Sequence, residues 1–177
     1  MPLKASDPLL AAGKIITVLL MAIIAIVTVL LVGLVPALLL NQAEFAAEIG
    51  MTSSSSVTTI TGITIAMLLI AASVTAISFH FFQLLGRIID TVGAGDPLTL
   101  ENAERLNRMG WIALIFQAAT LPISGLDAYL RDMLPTDELS VDFQFSLTGV
   151  LLALVLFILA RVFKHGAQMR EDLEGTV

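Results

Sequence analysis

His80 and Gln117 are polar side chains set inside long apolar runs, and one segment, GDPLTLENAERLNRMGW at 95–111, gathers acids and arginines at helical spacing. An ionisable group within an apolar run is a candidate proton carrier or substrate contact. The commoner use is a neutral imidazole hydrogen-bonded to a neighbouring helix, and Gln117 is the partner the sequence offers. No Asp, Glu, Lys or Arg stands at the centre of these runs to form a relay with His80. That makes the chain a poor transporter on its own.

Other chemistries fare worse. Cys is absent, which removes disulfides, thiolate metal sites and a Cys nucleophile, and the only two histidines, His80 and His165, make a His-rich metal site improbable. There is no phosphate loop, no dinucleotide fingerprint, no H-E-x-x-H and no G-x-S-x-G; GAGDP at 93–97 lacks the Lys and Ser/Thr of a phosphate loop and reads as a turn. Carboxylates cluster only in loops, where nothing tunes them for acid–base work. The expectation is a non-enzymatic protein without catalytic residues, cofactor or metal.

The charged segment has a clear physical reading. Helical periodicity runs through QLLGRIIDTV, with Leu85, Ile88, Ile89 and Val92 on one face, and Gly93 and Gly95 then supply the stop and the tight turn. Asp96 precedes Pro97 and is held extended. Thr99 is the natural N-cap of the next helix, and Glu101 and Glu104 suit the positive end of its dipole. Glu101–Arg105 and Glu104–Arg108 are i,i+4 pairs in the favourable order, while Leu100, Ala103, Leu106 and Met109 form the opposite, apolar stripe. Asn102 falls where Glu or Gln would complete a capping box. Its shorter amide is expected to reach back to the Gly95–Pro97 turn or across to the 164–177 tail. Arg105 and Arg108 are expected to meet Glu171, Asp172 and Glu174 of that tail.

The elements that carry these residues are membrane spans. Hydrophobic residues make up 57% of the 177-residue chain and charged residues 14%, well under the roughly 25% of soluble domains. Since a bilayer core needs about 20 apolar helical residues, four spans are predicted, near 15–40, 57–86, 111–130 and 143–163, the third the shortest. They would form a single all-α membrane domain, a four-helix bundle with a helical hairpin at 87–110. The first run is too long for a signal-peptide core and no clean cleavage site follows it, so it is expected to be retained. The SSSS at 53–56 reads as a flexible polar lead into the second span. Gly62-x-x-x-Ala66 and Gly149-x-x-x-Ala153 are small-residue patterns that let helices approach closely.

Charge orients the spans. Lys4, Lys14, Arg87, Arg105, Arg108, Arg161, Lys164 and Arg170 lie on one side, and Arg131 alone lies on the other. By the positive-inside rule both termini and the 87–110 hairpin are cytoplasmic. Glu44, Glu48, Asp127, Asp132, Asp137, Glu138 and Asp142 then fall outside, so the outer face carries the whole net charge of −6. This acidity accords with the topology bias and needs no bound cation to explain it. Trp111 and Tyr129 sit at the two edges of the third span, where amphipathic rings belong.

The segment at 95–111 and the closing FKHGAQMREDLEGTV resemble the domain-of-unknown-function 2975 family, also called YoaS-like, of bacterial four-span membrane proteins. The likeness extends over nearly the whole chain. It rests on Gly95, Pro97, Thr99, Glu101, Asn102, Arg105 and Leu106, then Gly166, Glu171, Asp172 and Gly175–Thr176–Val177. Leu98 stands where the family usually has Phe. The resemblance implies a multi-pass protein of the bacterial inner membrane without an assigned activity. Its members are often encoded beside a small Cro/CI-type helix-turn-helix regulator, which implies a cytoplasmic partner protein and no direct nucleic-acid contact. The expected role is therefore a membrane anchor or regulator binding through Thr99, Glu101, Asn102, Arg105, Arg108, Glu171 and Asp172, with a homo-oligomer also compatible. An accessory subunit of a transport or envelope-stress system, working through His80 and Gln117, is the alternative, and a membrane enzyme comes third.

Overall fold

The computed structural model describes residues 8–48, 54–133 and 146–174. Among them the secondary structure is all helical: α1 Pro8–Leu40, α2 Gln42–Glu48, α3 Ser54–Gly93, α4 Leu100–Met133 and α5 Leu147–Glu174. Four of these, α1, α3, α4 and α5, are long and apolar enough to cross a bilayer. The chain is a multi-pass membrane protein.

Each long helix outruns its apolar stretch. α3 continues past Gly86 to Gly93, as the periodicity of QLLGRIIDTV requires. α4 fuses the charged segment and the third span into one helix of 34 residues, roughly 50 Å long. The shortest predicted span is thus a fully formed helix. α5 carries the tail as helix to Glu174. Two readings are corrected at the other end. Ser54–Ser56 already belong to α3 and are not a flexible lead. The expected 41–56 loop contains α2, which starts directly after a pause at Asn41, whose Nδ2 donates to the Ala37 carbonyl at 2.9 Å. Asp137, Glu138, Asp142 and Gly175–Thr176–Val177 lie outside the described residues.

The helices do not all surround one core. α1 packs on α3, α3 on α4, and α4 on α5, without comparable packing of α1 on α4 or α5. The buried cluster comes from α3 (Leu84, Ile88), α4 (Leu106, Met109, Ile112, Ala113) and α5 (Ala153, Leu156, Ala160). α1 stands outside it, with Thr17 its buried residue and Ile15, Leu19, Ile23, Ile26 and Leu30 all exposed. A helix apolar on every side gains nothing from hiding one face when its solvent is lipid.

Small residues and hydroxyls make the remaining contacts. At the α1–α3 seam the Gly86 position faces Thr17 and the Gly13 position faces Ile89, and the Thr28 and Thr75 hydroxyls are 2.9 Å apart. Gly149-x-x-x-Ala153 serves the α4–α5 seam, where Gly149 faces the Gln117 amide and Ala153 is 1% exposed. Gly62 faces open space, so its motif is not used for a close contact there. Lys14 of α1 bonds Asp90 near the end of α3, and Arg170 of α5 bonds Asp96 beyond it, each at 2.5 Å. The start of α1, the end of α5 and the α3–α4 turn therefore share one end of the molecule.

Candidate docking surface at the α3–α4 turn

The turn is built from backbone rules upward. α3 ends in a Schellman arrangement: the Asp96 amide donates to the Thr91 carbonyl at 3.1 Å and the Gly95 amide to the Val92 carbonyl at 3.0 Å. Gly95 holds the left-handed conformation this needs, at φ 85°; Gly93, read as part of the stop, is the last helical residue. Thr99 caps α4 by accepting the Asn102 amide on Oγ1 at 3.1 Å, as its position predicts.

Asn102 is the centre of the site and is completely buried. Its Nδ2 donates to Thr91 Oγ1 at 2.7 Å and to the Pro97 carbonyl at 2.8 Å, while its Oδ1 accepts from Arg105 Nη1 at 2.7 Å. Both amide hydrogens and the carbonyl are thus occupied. Of its two expected reaches, back to the turn and across to the tail, it takes the first. Thr91 makes this work by donating its own proton to the Ile88 carbonyl at 2.8 Å, which leaves its lone pairs for Asn102. Arg105 is one-fifth exposed and binds Glu101 with its other arm at 2.8 Å. The network ties the last turn of α3 to the first two turns of α4.

The expected meeting of Arg105 and Arg108 with the tail acids is corrected. Arg105 turns inward to Asn102 and Glu101, and Arg108 lies 3.8 Å from Glu104 on its own helix. For each arginine the glutamate one turn back on its own helix is the nearer carboxylate, and Asn102 takes the other arm of Arg105. Turn and tail are joined instead by Arg170 and Asp96 and by Leu98, which lies over Gly166; a Cβ there would sit 3.1 Å from the Leu98 Cδ1. Glu171 and Asp172 are exposed on the adjoining face of α5. Thr91, Asp96 and Arg170 are members of this turn-and-tail network that the sequence reading missed. Asp96 had been read only as the residue before a proline.

The intramembrane pair is also corrected. His80 is exposed, with Nδ1 3.4 Å from Gln83 Oε1 on its own helix. Gln117 accepts the Ser146 amide at 3.0 Å and so fastens α4 to the start of α5. Each has its own neighbour, for a physical reason: the first N–H groups of a helix have no partner within it, and Gln117 supplies an acceptor at the start of α5. Trp111 and Tyr129 are both exposed, as rings at a lipid boundary should be; Trp111 meets Phe157 edge to face at 5.7 Å. No group of metal-ligating side chains is found among the described residues.

No curated protein and no solved structure matches the chain. A family model does match, over residues 55–177. That range takes in all of α3 but its first residue, α4, α5 and the whole Asn102 network, and leaves α1 and α2 outside, a narrower extent than the resemblance suggested. On that match the chain belongs to DUF2975, a family of proteins of unknown function.

Proposed function

We propose that the α3–α4 turn and the end of α5 form a docking platform for a water-soluble partner protein, and that the chain is a non-enzymatic membrane anchor or regulator of that partner. The reading is carried by one observation: a polar network centred on the fully buried Asn102 braces a surface that stands beyond the apolar runs of three helices. A plain connector between antiparallel helices needs only a few residues and no such network. Around the network lie exposed Glu101, Glu104 and Arg108, and beside them Glu171 and Asp172. Leu98 and Leu100 stand partly exposed among these charges. A polar rim around a few apolar side chains is what a modest protein interface looks like. The positive-inside bias supports a cytoplasmic platform, and the family resemblance a bacterial cell in which a small helix-turn-helix regulator is a candidate partner.

The test is photo-crosslinking in native membranes from Glu101 and Glu171, with Tyr129 at the opposite end as control. The expected result is one soluble protein captured from both platform positions and not from Tyr129, which then binds the purified chain directly. Capture of integral membrane proteins alone would support the transport-accessory alternative and overturn docking.

A further inference from the structure

Four ion pairs hold most of the described cations near the turn end: Lys14–Asp90, Arg105–Glu101, Arg108–Glu104 and Arg170–Asp96. Arg87, Arg161 and Lys164 take part in none of them. Two of these three, Arg161 and Lys164, stand one turn apart on α5 and line the same groove, of about 510 Å³, between α4 and α5. Its floor is apolar, from Ala103 and Phe157, and its α4 wall carries Asn107 and Glu104. Glu104 is the one acid in it, and Arg108 lies beside that carboxylate.

The level of the groove is fixed by its own helices. On α5, Arg161 ends the uncharged run that begins at Leu147, and on α4, Trp111 opens the run that follows Arg108. The groove thus straddles the height where both helices pass from lipid-facing to polar sequence. That is the height at which lipid phosphates meet the acyl boundary and tryptophan rings settle. Gly110 shapes the floor: a Cβ there would lie 2.7 Å from the Phe157 ring, so glycine is what lets the ring approach α4 so closely. Trp111 covers that ring from the lipid side.

We propose that this groove binds the headgroup of an anionic phospholipid, with Arg161 and Lys164 on the phosphate, Asn107 as a polar neighbour and an acyl chain running down past Phe157 and Trp111. The inference rests on the chain spanning a bilayer and is independent of partner docking. Two unpaired cations at the interface favour an anionic over a zwitterionic lipid by up to roughly thirtyfold.

Trp111 is the only tryptophan, and it touches the residue that floors the groove, so it reports occupancy directly. The full chain is reconstituted in phosphatidylcholine vesicles carrying a minor share of chain-brominated phosphatidylglycerol, or the same share of brominated phosphatidylcholine. Expected is much stronger quenching by the brominated phosphatidylglycerol, weakened by added salt and abolished in the Arg161→Gln, Lys164→Gln double variant. Arg87→Gln, which removes an unpaired cation outside the groove, should keep the preference. Equal quenching by the two lipids, or a preference that salt leaves unchanged, overturns the proposal. So does an equal loss in Arg87→Gln, which would mark a diffuse surface charge. The salt arm uses the native sequence and can overturn the proposal even if the double variant misfolds.

Discussion

Asn102 is a short side chain that serves three neighbours at once, and each loses a hydrogen bond if it goes. Replacing it by Ala removes the donors to Thr91 and to the Pro97 carbonyl and the acceptor for Arg105. Leaving buried polar groups unpaired costs about 1–3 kcal/mol. Asn102→Ala should therefore lower the unfolding midpoint in detergent and speed amide exchange over 94–106; a wild-type exchange pattern would show that the network is dispensable. Asn102→Asp keeps the acceptor for Arg105 but sets a carboxylate against a carbonyl, and should not rescue. His80 behaves oppositely. It is exposed and its contact with Gln83 is long, so His80→Phe should change stability by no more than about 0.5 kcal/mol, with normal membrane levels. Loss of activity at normal levels would revive a transport role. The sequence made Asn102 legible because Thr99 fixed the cap and hence its register. Thr91 was not legible, since a helical threonine ordinarily bonds its own preceding turn, and nothing local shows that its spare lone pair meets an amide from the next helix.

Among the elements, the tail of α5 is the one whose role the structure reassigns. Its link to the turn is Arg170–Asp96, both groups about half exposed, and such pairs contribute only about 0–1 kcal/mol. Arg170→Gln, or deletion of residues 170–177, should raise amide exchange over 94–99 by up to about fivefold and leave the global unfolding midpoint unmoved. Unchanged exchange after both would show that turn and tail are not one surface. Helix continuity was partly legible: the extension of α3 follows from its apolar spacing. The fusion of the hairpin helix with the third span was not, because Gly110 looks like a joint. In the structure it is a point of contact with Phe157, which lies distant in sequence. Likewise Gly149 and Gly62 carry the same motif, and only the placement of Gln117 shows which one is used.

For the molecule as a whole, the shared end of α1, α5 and the turn is a structural fact, while the side of the membrane it faces is proposed from the lysine and arginine bias. The absence of native Cys makes the test clean. Glu104→Cys should react with an impermeant thiol reagent only when the cytoplasmic face is opened, and Glu48→Cys should react from outside intact cells. The reverse pattern would invert the protein and move the proposed platform out of the cytoplasm. What composition could not reveal is the packing order. Uniformly apolar α1 suits any lipid-facing position, and it is contacts such as Thr17–Gly86 and Thr28–Thr75 that place it against α3.

The capped turn also acts as an angular index for everything that follows it. α4 is one unbroken helix from Leu100 to Met133, so the azimuth at which Thr99 and Asn102 start it is inherited by every later residue. One residue inserted between Gly95 and Thr99 can be absorbed by the turn, whereas one inserted just after Asn102 rotates the rest of α4 by about 100°. Gln117, some 22 Å further along, would then swing away from Ser146 and Gly149. Trp111 would leave Phe157 on the way. The polar knot at one face of the membrane thereby keys the seam at the opposite face, through nothing more than the stiffness of a helix.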